Sequence, residues 1–270
     1  NKTQVFPLPG SIFVHNRLTH SLEVSCVGRS LGNNIAKALM QKYPGGSVNF
    51  PEIGSIVSAA CLAHDMGNPP FGHSGERAIT AYFLEGNGMK WEEKVREEGG
   101  RWEDFLHFEG NANAFRLLAH RFHGRREGGF VMTYSTLASI VKYPYSSLAA
   151  GKKGKFGFFC FEEHYYRRIA DELGIRRLST DDEPLRYARH PLVYLVEAAD
   201  DICYEIMDIE DAHKLRILSF DETMQLLLGF FDNCQREKIL KRIDEEGITD
   251  NNEKVVYLRA CAIGKLECEC

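Results

Sequence analysis

The 270-residue sequence has no apolar run near the roughly 18 residues a membrane-crossing helix needs; its most apolar stretches, such as 57–63 and 158–161, are far shorter. A membrane-crossing helix is therefore not expected, and the chain reads as a soluble globular protein. Cationic excess is missing too: the formal charge is −5, which argues against a strongly basic nucleic-acid binder. Its 24 glycines and 9 prolines are too few for a low-complexity or collagen-like chain. None of the eight cysteines forms a C-x-x-C pair, and Cys268 and Cys270 make only a terminal C-x-C, so a thiolate zinc site is not indicated. Cys26, Cys61, Cys203 and Cys261 sit in apolar-patterned stretches, where a free thiol acts as a small hydrophobe. The given residues show no signal-peptide pattern, and a reducing cytoplasm is expected. Beginning at Asn1 rather than Met and stopping at Cys270, the chain reads as a fragment.

Strand alternation and internal repeats are also missing. What is present is helical periodicity, and the fold class expected is all-α. The pattern predicts helices over 17–42 (capped by Asn16 or Thr19, with Leu31, Ile35, Ala38 and Leu39 on one face), 53–66, 75–84, 109–122, 133–143, 161–173, 190–213, 221–231, 235–245 and 252–266. Residues 85–108 read as a charged surface excursion with one short helix, 149–159 as a Gly/Lys linker, and 178–190 as a charged loop.

Polar residues inside apolar helices carry the chemical information, because a buried His or Asp costs several kcal/mol unless it is paired or bound to a metal. His20 lies between Leu18 and Leu22, His64 and Asp65 close the apolar second helix before Gly67, and Asp200 follows Ala199 in the apolar 190–213 helix. Two imidazoles with two carboxylates suit a borderline or hard divalent ion such as Mg, Mn, Fe, Co or Ni.

The loop G-N-P-P-F-G-H-S-G-E (67–76) presents His73 and Glu76 three residues apart, the make-up of an acid–base His held in one tautomer. The same spacing suits a helix start in which Ser74 caps and Glu76 answers the dipole. Asp200, Tyr204 and Asp208 recur at i, i+4 and i+8 and so share one helix face, with Asp201, Glu205 and Asp211 read as plain surface. Lys142 can neutralise a phosphate or answer a helix dipole. The 152–155 lysine cluster offers the same two readings and is taken as a solvated loop.

Six ordered blocks, KTQVFPL (2–8), RLTHSLEVS (17–25), AHDMGNPPFGHSGE (63–76), FEGNANAFRL (108–117), IVKYPY (140–145) and PLVYLVEAADDICYEIMDIEDA (191–212), resemble the HD-domain phosphohydrolases, and within them the bacterial deoxyguanosine triphosphate triphosphohydrolases. The resemblance implies an HD helical bundle over 1–213, with 214–270 as added helices and further chain beyond Cys270. It implies hydrolysis of dGTP, and of other dNTPs, to deoxynucleoside and triphosphate by water attack at the α-phosphorus. The divalent ion, Mg²⁺ or Mn²⁺ before Fe, Co or Ni, would lie on His20, His64, Asp65 and Asp200. His73 and Glu76 would be the catalytic pair. Gln4 and Val5 would meet the sugar, and Asn111, Lys142, Tyr143, Tyr204 and Asp208 would line the nucleotide pocket. Relatives often carry His where Asn68 stands. The family forms homo-oligomers, and some members bind single-stranded DNA. Alternatives are another HD nucleotide phosphohydrolase or a non-catalytic sensor of dNTPs or single strands.

Overall fold

The computed structural model describes residues 16–45, 49–124 and 129–270. It is 68% helical, with twelve α-helices and no strand among the described residues; isolated bridges join Tyr145 to Arg186 and Arg177 to Tyr187. The all-α expectation holds.

Helix α1 (Arg17–Lys42) starts where predicted. The Asn16 side chain accepts from the Leu18 and Thr19 N–H groups, and the Thr19 hydroxyl accepts from the Asn16 N–H, a capping box that satisfies otherwise orphaned donors. Its inward face is Val24, Val27, Gly28, Leu31, Gly32 and Ala36. The expected face is corrected in part, because Ile35 and Ala38 are exposed. Contact with α2 (Ile53–Ala63) runs through small residues instead: a methyl on Gly32 would stand 2.7 Å from Gly54 Cα, and one on Gly28 2.5 Å from Cys61 Sγ. Backbones approach this closely only where side chains are absent.

Helix α2 stops at Ala63, short of the expected Met66, because the chain tightens there: the Met66 N–H bonds to Ala63 O and the Asn68 N–H to Asp65 O. Helix α3 (His73–Leu84) begins two residues earlier than predicted. Next come α4 (Glu92–Glu97) and α5 (Glu103–Leu106). They correct the surface-excursion expectation for 85–108. Trp102 is buried edge-to-face on Phe83, and buried Asp104 accepts from Ser147 Oγ at 2.5 Å and Cys160 N–H at 2.8 Å.

Helices α6 (Gly110–Ala119) and α7 (Tyr134–Ile140) are shorter than predicted, α7 being capped by Thr133. The 149–159 segment is not a linker: Phe156, Phe158 and Phe159 are buried, and Phe158 stacks on Tyr166 of α8 (Glu163–Leu173) with ring centroids 4.7 Å apart. Its aromatic run outweighs its lysines. The 178–190 loop likewise buries Leu185 and Tyr187.

Helix α9 (Leu192–Lys214) runs through two cores. Its Val196, Ala199, Ile202 and Cys203 join Val24, Leu31, Val57, Phe115, Leu137 and Ile169 in the main cluster. Its Ile206 joins a second cluster built by α10 (Phe220–Leu228), α11 (Asn233–Glu245) and α12 (Asn251–Glu269), including Leu227, Ile243 and Leu258. Of the four cysteines read as small hydrophobes, Cys61 and Cys203 are buried, whereas Cys261 is half-buried and Cys26 exposed. Among the described residues no helix is long and apolar enough to cross a membrane.

Because Phe158 belongs to the core, Phe158→Ala should cost about 3–5 kcal/mol, the range for emptying a buried aromatic position. Chemical denaturation checks this. A loss within about 0.5 kcal/mol, normal for an exposed site, would return the segment to linker status.

Candidate active site

His20 sits one turn into α1 and is 1% exposed, while Leu18 and Leu22 beside it in sequence are 69% and 49% exposed. The apolar setting read around His20 is therefore inverted: the helix turns its imidazole inward and its leucines outward. From α2, His64 reaches the same place, with ring centroids 5.5 Å apart. His20 Nε2 lies 2.9 Å from Asp200 Oδ1 of α9. His64 Nε2 lies 3.4 Å from Asp65 Oδ1 and 3.5 Å from Asp200 Oδ1. Ligand-capable atoms of His20, His64 and Asp65 all fall within 4.8 Å of one another, and the fourth expected residue, Asp200, joins through these contacts. Its neighbour Asp201 is exposed.

Two features make this cluster fit a cation. His64 Nδ1 is 2.6 Å from Cys61 O, so it carries the proton and donates, which leaves the Nε2 lone pair facing the carboxylates. That Nε2 is buried and makes no hydrogen bond of normal geometry, a costly state that coordination relieves. Burial alone would pull the His64 pKa down, yet Asp200 and Asp65 outweigh it and hold the imidazole above its ordinary value. The site attracts positive charge. Burial, helped by Asp200, pushes the Cys61 thiol up to about 12, so it stays protonated and the donor set is nitrogen and oxygen.

The turn after His64 is tied down at several points. Asp65 Oδ1 accepts from Asn68 Nδ2 at 2.7 Å, and Arg17 of α1 donates to Asn68 O at 2.7 Å. Gly67 abuts α6: a methyl there would stand 2.0 Å from Gly110 O and 2.1 Å from Ala114 N. Phe71 and Gly72 follow in the left-handed region (φ 65° and 54°). For Phe71 that conformation is strained, and strain of this kind persists only where the surroundings fix it. It delivers His73 as the first residue of α3. Ser74 does not cap that helix; Gly72 holds the cap position without a side-chain bond.

His73 Nδ1 and Glu76 Oε2 are 2.7 Å apart. The imidazole is 78% exposed and the carboxylate 10%. Glu76 Oε1 accepts the Gly110 N–H at 2.8 Å. Burial would raise the Glu76 pKa, but the bonds from His73 and Gly110, with Lys155 nearby, keep it below the usual carboxylate value. Lys155 corrects the solvated-loop expectation for 152–155: Lys152 and Lys153 are exposed, but Lys155 is half-buried and pairs with buried Glu109 at 2.7 Å. Glu109 Oε1 in turn accepts from Asn111 Nδ2 at 2.5 Å. Sequence reasoning set Lys155 aside with the solvated loop and passed over Glu109. The signal available was their neighbours, since both abut buried aromatic or glycine-lined chain.

Lys142 and Tyr143 line a separate cavity of about 430 Å³ with Tyr145, Arg186, Arg189 and Glu197. Lys142 Nζ bonds Glu197 Oε1 at 2.8 Å, and Arg189 takes the other carboxylate oxygen. Burial would lower the Lys142 pKa, but Glu197 raises it overall, so the ammonium persists. Tyr204 and Asp208 continue along α9 from Asp200, exposed and half-buried respectively. Asp211, read as plain surface, is buried, because the second half of α9 is covered by α10 and α12. The same burial encloses Glu210, neutralised by Arg259 and Lys214 at 2.6 and 2.7 Å. Gln4 and Val5 lie outside the described residues.

Known proteins similar to this chain carry related sequences over most of its length. The HD domain family model matches residues 17–148. A deoxyguanosinetriphosphate triphosphohydrolase-like protein of Pseudomonas aeruginosa is 47% identical over 84% of this chain and 51% of its own. One from Synechocystis is 40% identical over 86% of this chain and 54% of its own. The deoxyguanosinetriphosphate triphosphohydrolase of Yersinia enterocolitica is 34% identical over 98% of this chain and 58% of its own. The chain thus spans about half the length of the curated relatives it matches. With its His20, His64, Asp65 and Asp200 gathered between three helices, the chain belongs to the deoxyguanosinetriphosphate triphosphohydrolase-like family of HD-domain hydrolases.

Proposed function

We propose that this chain carries the catalytic centre of a metal-dependent dNTP triphosphohydrolase, taking dGTP and other dNTPs to deoxynucleoside and inorganic triphosphate. One observation carries the reading: a His20–His64–Asp65–Asp200 cluster is joined through Asn68 and Gly110 to an oriented His73–Glu76 pair.

In this reading His20, His64, Asp65 and Asp200 hold a divalent ion, Mg²⁺ or Mn²⁺ by the hardness of half the donor set. The chemistry an ion supplies there is polarisation of a phosphoryl oxygen and neutralisation of its charge. Water attacks the α-phosphorus, the bond to the deoxyribose 5′-oxygen breaks, and that oxygen leaves with a proton. Glu76 accepts the Nδ1–H of His73 and so fixes the tautomer, which leaves the exposed Nε2 edge to take the proton of the water or give one to the leaving oxygen. Lys142, kept charged by Glu197, offsets phosphate charge. Tyr143 shares its cavity, and Tyr204 and Asp208 extend the binding face along α9. Asn111 meets the nucleotide, and Gln4 and Val5 contact the sugar.

Incubation with each dNTP and Mg²⁺ or Mn²⁺, followed by anion-exchange chromatography and phosphorus NMR, should give deoxynucleoside and intact triphosphate. Monophosphate with pyrophosphate would overturn the reaction assignment. His73→Ala should lower turnover by about 10²–10⁴-fold, as for loss of an acid–base group, with the bound metal retained; unchanged turnover removes His73 from the chemistry. Asp200→Ala should lower the metal content measured by mass spectrometry, and full occupancy in that variant would take Asp200 out of the ligand set.

A further inference from the structure

Two carboxylates approach one ammonium beside His73. Glu109 has a side chain only 2% exposed, and Glu76 stands next to it across Lys155. Like charges sharing one poorly hydrated place repel, and a cation shared by both offsets that repulsion. The cation present is Lys155. Its ammonium is 2.7 Å from Glu109 Oε2 and 3.7 Å from Glu76 Oε2. The shorter distance is a charge-assisted hydrogen bond. The longer is beyond a hydrogen bond, so on Glu76 Lys155 acts through its field. Gly154, in the left-handed region at φ 64°, and the buried Phe156 on either side fix where Lys155 leaves the chain.

We propose that Lys155, seated on buried Glu109, is a positioning residue for the His73–Glu76 pair. It holds Glu76 as a carboxylate with Oε2 turned to accept the His73 Nδ1–H. Because Glu109 also holds the Asn111 side chain, one chain of contacts, Asn111–Glu109–Lys155–Glu76–His73, ties a residue read as a nucleotide contact to the group read as moving the proton. The inference rests on the assignment of His73 as the acid–base group.

The charged groups around Glu76 come from three segments. Helix α3 supplies His73, Arg77 and Glu85, the 107–109 segment His107 and Glu109, and the 152–155 segment Lys152, Lys153 and Lys155; together they line a cavity of about 530 Å³. Glu76 is held below the usual carboxylate value in the folded protein. Removing Lys155 lets that value rise, so at a given acidic pH less of Glu76 is ionised.

The test is steady-state hydrolysis of dGTP across pH by the metal-loaded protein carrying Lys155→Met, Lys155→Gln or Lys155→Arg, with His73→Ala alongside. The neutral variants should lose about 10–100-fold in kcat, the range for removing a group that orients a functional side chain, with KM little changed. Their acidic limb should move towards neutrality by about one pH unit, the low end for removing a charge partner. Lys155→Arg, which keeps the charge, should recover most of kcat and the original limb. Two neutral variants guard against one failing to fold, which metal content and thermal melting will reveal. If His73→Ala loses turnover while the neutral variants keep wild-type kcat and limb, the positioning role is overturned. It is also overturned if all three Lys155 variants lose activity alike with the limb unmoved. If His73→Ala retains turnover, the underlying assignment fails instead.

Discussion

The close crossing of α1 and α2 is the constraint on which the site depends. Gly28 and Gly32 on one helix meet Cys61 and Gly54 on the other at distances no side chain would tolerate. That approach brings His20 and His64 within reach of one ion, since each lies further along its helix from the same contact line. Protein interiors are close-packed and barely compressible, so a change at the crossing propagates to the imidazoles with little loss. Arg17 adds a second tie by holding the carbonyls of Asn68 and Pro69, which keeps the Asp65 turn in register with the start of α1.

Charge is balanced in three neighbouring compartments, each by a different means. The His20–His64–Asp65–Asp200 cluster has more acid than neutral imidazole can answer and calls for a cation from outside. Behind His73 the balance is internal, with Lys155 between Glu76 and Glu109. At Glu197 two cations, Lys142 and Arg189, share one carboxylate. A polyphosphate arriving there would meet an ammonium already charged, at the cost of loosening its bond to Glu197. These arrangements explain why so many ionisable groups persist half-buried in a chain of ordinary composition.

Much of this was legible in the sequence. The period of the apolar residues located α1 within its true limits, and α9 within two residues. The H-D step before Gly67 announced a helix end whose two polar side chains meet His20, and the spacing of His73 and Glu76 matched the bond found. What escaped depended on tertiary context. Leu18 and Leu22 looked like the walls of a core but face outward, because a single sequence does not reveal which face of a helix is covered. The 149–159 stretch was read by its lysines and glycines, whereas burial of Phe156, Phe158 and Phe159 decides its conformation. Lys155 and Glu109 could not be paired from sequence, since 46 positions separate them and only the fold brings them together. Asp211 was misjudged because helices after residue 214 cover it.

Helix α9 carries a consequence beyond its contribution to either core. Asp200 and Ile206 lie six residues apart, about 9 Å along the axis, and one belongs to the ion cluster while the other fills the C-terminal core. A continuous helix cannot unwind at one end of so short a span without disturbing the other. On the proposed reading, an ion bound to the native form stabilises it by an amount that grows with the logarithm of one plus the ratio of ion concentration to dissociation constant, and that stabilisation would reach α10, α11 and α12 through the shared helix. Conversely, the apolar packing of Leu227, Ile243 and Leu258 with Ile206 restrains a carboxylate about 1.7 turns away on the same helix. If the cluster holds the ion proposed for it, metal affinity and the integrity of the C-terminal helices are linked quantities, coupled through a single stretch of backbone.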